Sequence, residues 1–374
     1  MVRIKQVTTR RELRQFVHFP NELYKGDRYY VPQVESMDMA TLSPRKNAAF
    51  EVCEGVYWLA LDESGKVVGR VAAIINHRYN SKVGKKICRF GWIDFMDSKE
   101  VVDALMFSVE RYARQKEMTM VEGPVGFLEF DISGILVEGF DRLPTVYGKY
   151  NHPYYEPLLL SCGYTKGAEF VEYLIDVPED TSALERAAGI VALKCGLSEG
   201  HYRSKKELVT RYADGLFRVM NQAYSRLHGF SELSERQCAD LKRQFLPHIS
   251  LDYVSVVVDG NDEVVGFGVA MPSLSKAMQR AGGRLFPTGW MHVLAALRTN
   301  DTVDALLIAV RDDYRGMGVN AMILAKIASG LHRNGIFHVE STRELADNHD
   351  VQNMWGRFSH SLSKRARVYT KEIT

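Results

Sequence analysis

The chain has 374 residues, 46% of them apolar and 25% charged, and its 48 Lys and Arg against 46 Asp and Glu leave a net charge of +2. That balance belongs to a soluble globular protein long enough for two ordinary domains, and it provides no global field to draw nucleic acid or an acidic membrane surface. The five cysteines are scattered, odd in number and nowhere in CxxC spacing, which points to a reducing compartment with structural thiols and leaves no zinc or other metal site.

The N-terminal stretch MVRIKQVTTRRELRQF has no apolar core of signal-peptide length, and no segment approaches 18 apolar residues. The expectation is a cytoplasmic protein without a transmembrane segment. Leu13, Phe16 and Val17 fall on one helical face with Thr9 as a cap, so a helix is predicted over 8–19. Two strand-like runs, 56–61 and 67–75, flank the turn signal Asp62-Glu63-Ser64-Gly65 and read as a hairpin. A strand over 88–95, an amphipathic helix over 101–114, a strand over 119–122, a helix over 154–160 and a strand over 171–177 complete this half. Between Phe95 and Val101 the chain offers Met96-Asp97-Ser98-Lys99-Glu100 and no glycine pair.

Residues 179–203 read as a linker with its own short helix, after which the same order begins again. Helices are predicted over 208–227 and 238–245, a hairpin over 253–258 and 264–271, and a strand over 304–310. Then comes the charged turn Arg311-Asp312-Asp313-Tyr314-Arg315, the run Gly316-Met317-Gly318-Val319-Asn320, a helix over 321–333, a strand over 336–340, a helix over 350–358 and a strand over 365–373. VYWLALDESGKVVGRVAAI in the first half superposes on YVSVVVDGNDEVVGFGVAM in the second, so a tandem duplication is the economical reading.

Strand, glycine-rich turn and helix together make a phosphate cradle: glycines leave successive backbone amides open, and a helix start adds unpaired donors and a positive dipole. The stretch lacks the Lys-Ser or Lys-Thr of a nucleoside-triphosphate loop and the third glycine of a dinucleotide fingerprint. Arg315-x-x-Gly318-x-Asn320 resembles instead the acetyl-CoA pyrophosphate loop of the GNAT (GCN5-related N-acetyltransferase) superfamily, with Asn320 where that pattern has Gly or Ala. LYKGDRYYVP, VVGRVAAI, VEGPVGF and YNHPYYEPLLLSCGY further resemble a bacterial tandem-GNAT family of N-acetyltransferases.

The resemblance implies an α/β (α+β) chain of two tandem GNAT-like domains, 1–178 without and 204–374 with the acyl-CoA loop, each a mixed, mostly antiparallel central sheet flanked by helices. It implies acetyl-CoA or another acyl-CoA as cofactor, with Ile308, Ala309 and Val310 beside the pantetheine arm and Arg315, Gly316, Met317, Gly318, Val319 and Asn320 around the pyrophosphate. In the family's N-x-x-A-x-x-x-Y pattern Asn348 fits, as a cofactor-side and catalytic residue, while Trp355 stands where the acid Tyr is expected. Tyr369 is then the alternative acid, and Glu340, ending the strand after the loop helix, the candidate amine base. Glu344, Tyr154 and Tyr155 are candidate acceptor-binding residues. The expected partner is a small-molecule or peptide amine and no nucleic acid. A non-catalytic acyl-CoA-binding protein and an aminoacyl-tRNA-dependent transferase are the competing readings.

Overall fold

The computed structural model describes residues 1–128, 130–245 and 248–373. Its first half runs β1 (Arg3–Gln6), α1 (Arg10–Leu23), α2 (Glu35–Thr41), β2 (Cys53–Leu61), β3 (Val67–Asn76), α3 (His77–Val83), β4 (Ile87–Phe95), α4 (Lys99–Gln115), β5 (Met120–Gly123), β6 (Ile135–Glu138), α5 (Tyr155–Ser161) and β7 (Thr165–Asp176). The second half continues with α6 (Ser182–Cys195), β8 (Ser198–Glu199), α7 (Lys205–Tyr224), α8 (Glu235–Phe245), β9 (Val254–Val258), β10 (Val264–Pro272), α9 (Ser275–Ala281) and α10 (Gly289–Arg298). It ends with β11 (Thr302–Val310), α11 (Val319–Arg333), β12 (His338–Ser341), β13 (Glu344–Leu345), α12 (His349–Trp355) and β14 (His360–Glu372).

Local chemistry explains the element starts. Thr9 and Glu12 form a reciprocal capping box at α1, the side chain of each bonding the other's backbone N–H. Ser204 caps α7 by accepting from the Glu207 amide. Helix α4 buries Val102, Leu105, Met106 and Val109 against the first-half sheet, and α7 buries Leu208, Tyr212, Val219 and Met220 against the second. These faces belong to two separate stretches of core, one in each half.

One mixed sheet spans both halves, in the order β1-β2-β3-β4-β5-β14-β7-β12-β11-β10-β9-β8, with β6 and β13 attached to β14 and β7. Among the described strands only the β4/β5 and β11/β12 pairs are parallel. The expectation that the last strand completes the second half is corrected: β14 lies between β5 and β7, pairing Tyr369 with Gly123 and His360 with Ile175. In return β7 of the first half sits beside β12, Leu174 opposite Glu340. Each half thus lends its final strand to the other, and the β7–β14 ladder is a seam shared by both.

Strands β11 and β12 pair only from Thr302–His338 to Ala305–Ser341, where Thr342 closes the ladder by donating its N–H and hydroxyl to the Ala305 carbonyl at 3.2 and 3.0 Å. Beyond that point β11 keeps its partner β10 as far as Val310 but has no strand on its other edge among the described residues. A bulge falls at Leu306, which the β10 register skips, just past the point where β11 and β12 part. The equivalent opening in the first half is filled by its own chain. Gly123 and Gly91 run so close to the crossing backbone that a Cβ on either would lie 2.2 Å from the Phe90 carbonyl oxygen and 2.8 Å from that of Val125, respectively, and the Val125 amide donates to the Phe90 carbonyl at 2.8 Å. Among the described residues no helix is long and apolar enough to cross a membrane.

Candidate functional site

The glycine-rich turn leads off the open strand. After a single 3₁₀ turn at Asp312–Tyr314, Gly316 and Gly318 both take positive φ, 75° and 86°, and Gly318 caps α11 without any side-chain bond. Among the described residues the amides of these two glycines find no hydrogen-bond partner, and those of Val319 and Asn320 open the first turn of α11. Both glycines and Met317 are exposed, so the cradle faces solvent. Arg315 is braced beside it, with its Nε 3.0 Å from Asp312 Oδ1 and an Nη donating 3.2 Å to the Ala223 carbonyl. An oxygen-rich anion fits this arrangement of open amides, helix dipole and fixed guanidinium.

A cavity of about 380 Å³ runs through the gap between β11 and β12, within the range of small-molecule sites. One wall is α7 and α8, with Leu208, Leu216, Phe217, Met220 and Phe245; the other is Leu324, Ile327 and Leu331 of α11, Val339 of β12 and Phe358 just after α12. The first half contributes Phe130, Tyr147, Phe170 and Ile175. The strand residues Leu306, Leu307 and Ile308 form its floor, and the Tyr224 hydroxyl donates 3.1 Å to the Ile308 carbonyl at the open edge. Apolar surface predominates on both sides of the gap.

Few polar groups enter it. Glu344, on β13, is held by the Trp355 indole, whose Nε1–H donates 2.9 Å to Oε1, while Oε2 is buried without a hydrogen-bond partner among the described residues. Burial pushes this carboxyl up to about 7, against hydrogen bonding from Trp355 and then Ser341, which pulls it down. A carboxyl near neutrality in the wall of a cavity, with one oxygen oriented by an indole, can accept a proton at physiological pH. Asn348 also lines the cavity and, although it is the first flanking residue of α12, makes no capping bond with its side chain.

Below the gap lies a compact ionic cluster. Lys364 bonds Glu340 and sits 3.4 Å from Glu172, which holds Arg343 at 3.1 Å; Arg343 in turn reaches the cavity wall. Asp304 is fully buried opposite Glu340, and burial followed by the Glu340 charge pushes it up to about 8. Three carboxyls face two cations, so holding Asp304 protonated leaves the cluster neutral, the inexpensive state for buried charge.

The structure therefore brings together Ile308, Glu344 and Asn348 in one cavity, with Arg315, Gly316, Met317, Gly318, Val319 and Asn320 in the adjoining turn. Ala309 and Val310 continue β11 from the cavity toward that turn. The remaining candidates lie elsewhere. Glu340 is bonded by Lys364 and by Ser363 Oγ, the latter at 3.2 Å, within the ionic cluster. Tyr369, carried away by the exchanged β14, is fully buried in the first half and donates 2.9 Å to Glu156. Tyr154 and Tyr155 are likewise first-half core. The Tyr154 hydroxyl donates 2.7 Å to the Phe95 carbonyl, and that of Tyr155 accepts from the Phe95 amide at 3.0 Å and lies 2.6 Å from the Tyr24 hydroxyl. Sequence reasoning missed Tyr224, Asp304, Arg343 and the Trp355–Glu344 bond; the departure of Trp355 from the family pattern was the available signal for the last.

No family model matches the chain. It is 25% identical over 382 residues to Protein YghO of Escherichia coli (strain K12), covering 99% of this chain and 95% of that one. It is 26% identical over 304 residues to the bacterial ceramide synthase of Caulobacter vibrioides (strain NA1000 / CB15N), covering 80% and 77%. Among solved structures it superposes on a tandem GNAT protein from the clavulanic acid biosynthesis pathway with a TM-score of 0.56 at 13% identity, covering 100% of this chain and 98% of the other. A GCN5-related glucosamine N-acetyltransferase region of a fungal multi-domain β-N-acetylglucosaminidase matches with a TM-score of 0.57 at 12% identity, over 99% of this chain and 38% of that one. The fold is that of the tandem GNAT proteins.

Proposed function

We propose that this chain is an N-acyltransferase that moves a long acyl group from acyl-CoA to an amine, using only the gap in the second half. The observation that carries this reading is the apolar cavity crossing the open edge of β11 with Glu344 in its wall. An acetyl group needs no such walls on both faces of the sheet. The ceramide synthase relative supports the same chemistry, since a ceramide is the amide of a fatty acid with a long-chain amino alcohol.

The residues present fit the cofactor. Arg315 and the amides of Gly316, Gly318, Val319 and Asn320 would hold its pyrophosphate, and the edge at Ile308, Ala309 and Val310, met at the Ile308 carbonyl by Tyr224 but by no described strand, would bind its extended arm as an added strand does. When bound, the thioester supplies an activated acyl carbon and a thiolate leaving group. Glu344 takes the proton that the acceptor's ammonium must lose before its nitrogen can attack, Trp355 fixes the orientation of the carboxylate, and Asn348 offers its side chain to the acceptor's polar head. Tyr224 places a phenol at the same edge, where it can return a proton to the thiolate. The apolar walls exclude water, which would otherwise hydrolyse the thioester.

Because the Trp355 bond lowers the Glu344 pKa from what burial alone would impose, the base is active above about pH 7. In Trp355→Phe the acid limb of the rate profile is expected to move to higher pH by roughly one pH unit, the worth of one hydrogen bond to a charged group. A limb that stays in place removes Trp355 from the proton path.

The reading itself is tested with a chain-length series from acetyl- to palmitoyl-CoA and a long-chain amino alcohol as acceptor, following free thiol. kcat/KM is expected to rise with chain length, by at least about 10² overall, because each buried methylene contributes ~0.8 kcal/mol. A preference for acetyl-CoA would overturn the long-chain assignment, and binding without turnover would favour a purely acyl-CoA-binding protein.

A further inference from the structure

The segment between β10 and β11 has no counterpart in the chemistry above. It folds as α9 and α10 and, from Ser273 to Asn300, contains Lys276, Arg280, Arg284 and Arg298 but no Asp or Glu. Large apolar side chains stand out from it: Phe286 is 81% exposed, Met291 54%, Trp290 46% and Leu294 39%. Trp290, Met291 and Leu294 share one side of α10, and Phe286 lies three residues before its first residue. Apolar side chains so clustered on a surface, rimmed by cations, mark an interaction site.

We propose that the α9–α10 segment docks the protein on an anionic lipid bilayer, lying in the interface with Phe286, Trp290, Met291 and Leu294 inserted among the acyl chains. Charge complementarity selects this partner. Among the described residues Arg284 has only a 3.6 Å contact with Glu35, Lys276 pairs with Asp301 just outside the segment at 3.2 Å, and Arg280 and Arg298 make no ion pair. A basic patch of this kind is drawn to acidic headgroups, and Trp290, whose indole N–H is already satisfied by the Pro287 carbonyl at 2.9 Å, can enter the acyl region without an unpaired donor. A second copy of the chain would bring the same four cations face to face.

The placement also gives the docking a purpose. Val293, Ala296 and Leu297 pack into the small apolar cluster around Met271, Leu274 and Met278, which also takes in Tyr147 and Leu306. Those last two line the cavity, so the inserted helix shares its packing with the cavity wall.

The experiment is co-sedimentation of the full chain with phosphatidylcholine vesicles, with and without phosphatidylglycerol, and it needs no turnover, so its outcome is independent of the acyltransferase reading. The wild type is expected to sediment with the anionic vesicles, and Phe286→Ser/Trp290→Ser/Met291→Ser to lose at least about tenfold in partition. Arg280→Glu/Arg298→Glu, which leaves the apolar face intact, is expected to lose a similar factor and to erase the preference for phosphatidylglycerol. Trp290 alone among the four tryptophans is exposed, so a blue shift of emission on vesicles that Trp290→Phe removes, without losing sedimentation, would place it in the interface. Absence of wild-type sedimentation, sedimentation of both multiple variants equal to that of the wild type, or a wild-type dimer in vesicle-free ultracentrifugation that the triple serine variant breaks, would each overturn the proposal.

Discussion

Glu344→Gln is expected to lower kcat by about 10²–10⁴ while leaving KM for acyl-CoA within a factor of a few, because a positioned general base contributes about that much and the amide keeps the shape of the carboxyl. The carbonyl oxygen of the substituted side chain still accepts from Trp355, so the change removes a proton acceptor without creating a cavity or an unpaired indole. The loss has a characteristic pH signature. Wild-type activity falls as the pH drops below about 7, where Glu344 becomes protonated. The deficit of the variant narrows as the pH approaches the acceptor amine's own pKa, about 8–10 for common amines, since a neutral amine needs no base. A Glu344→Gln enzyme with wild-type kcat across that range would remove Glu344 from the mechanism.

Gly318→Glu is the second large effect, this time on binding. Gly318 has φ of 86°, where an L side chain is strained, and its Cβ would come within 2.9 Å of Val191 Cγ2 on α6. The new carboxylate would also stand among the amides proposed to receive the pyrophosphate. CoA affinity is expected to fall by at least about 10², abolishing the stabilisation of several kcal/mol that saturating ligand gives a folded protein. Ser98→Glu is the control: Ser98 occupies the corresponding place before α4 in the first half, where no glycine loop exists, and its side chain makes no capping bond. It is expected to leave CoA binding unchanged. Equal losses in the two variants, read by calorimetry, would mean that the cradle is not where CoA binds.

Much of the architecture is legible in the sequence because it is local. Apolar spacing at Leu13, Phe16 and Val17, the turn at Asp62–Gly65 and the two positive-φ glycines each act within a few residues, and the repeat of the hairpin stretches exposes the duplication. The exchange of β7 and β14 is not legible, since it depends on pairings between distant parts of the chain, such as His360 with Ile175, that no local periodicity records. That single long-range fact relocates Tyr369: the alternation along its strand can be read from the sequence, but the sheet that receives it cannot. Tyr154 and Tyr155 show a related limit. A dense aromatic run identifies a packed region, yet the hydroxyls bond the Phe95 backbone in the first-half core rather than lining the gap. Asp304 cannot be read as a protonated buried acid because its state depends on Glu340, Glu172 and Lys364 from three other strands. The basic, acid-free stretch from Ser273 to Asn300 is masked by a whole-chain charge of +2.

The first half explains itself in the same terms. Its sheet repeats the parallel pair, but the backbone crossing at Gly91 and Gly123 closes the gap, and Arg89 is buried there, donating to the Gly126, Phe127 and Gly229 carbonyls at 3.2, 3.4 and 2.9 Å. Among the described residues the turn before α4 carries no glycine pair, and Val125 occupies the edge of β4 at Phe90. This half contributes Phe130, Tyr147 and, from β7, Phe170 and Ile175 to the lining of the cavity in the second half.

The most direct test of the account mixes the purified chain with palmitoyl-CoA and a long-chain amino alcohol and quantifies amide and free thiol in the same reaction. Amide and thiol accumulating one for one, both abolished by Gly318→Glu, is the result expected of a single acyl-transfer site. Thiol without amide, or neither product at saturating palmitoyl-CoA, would contradict it.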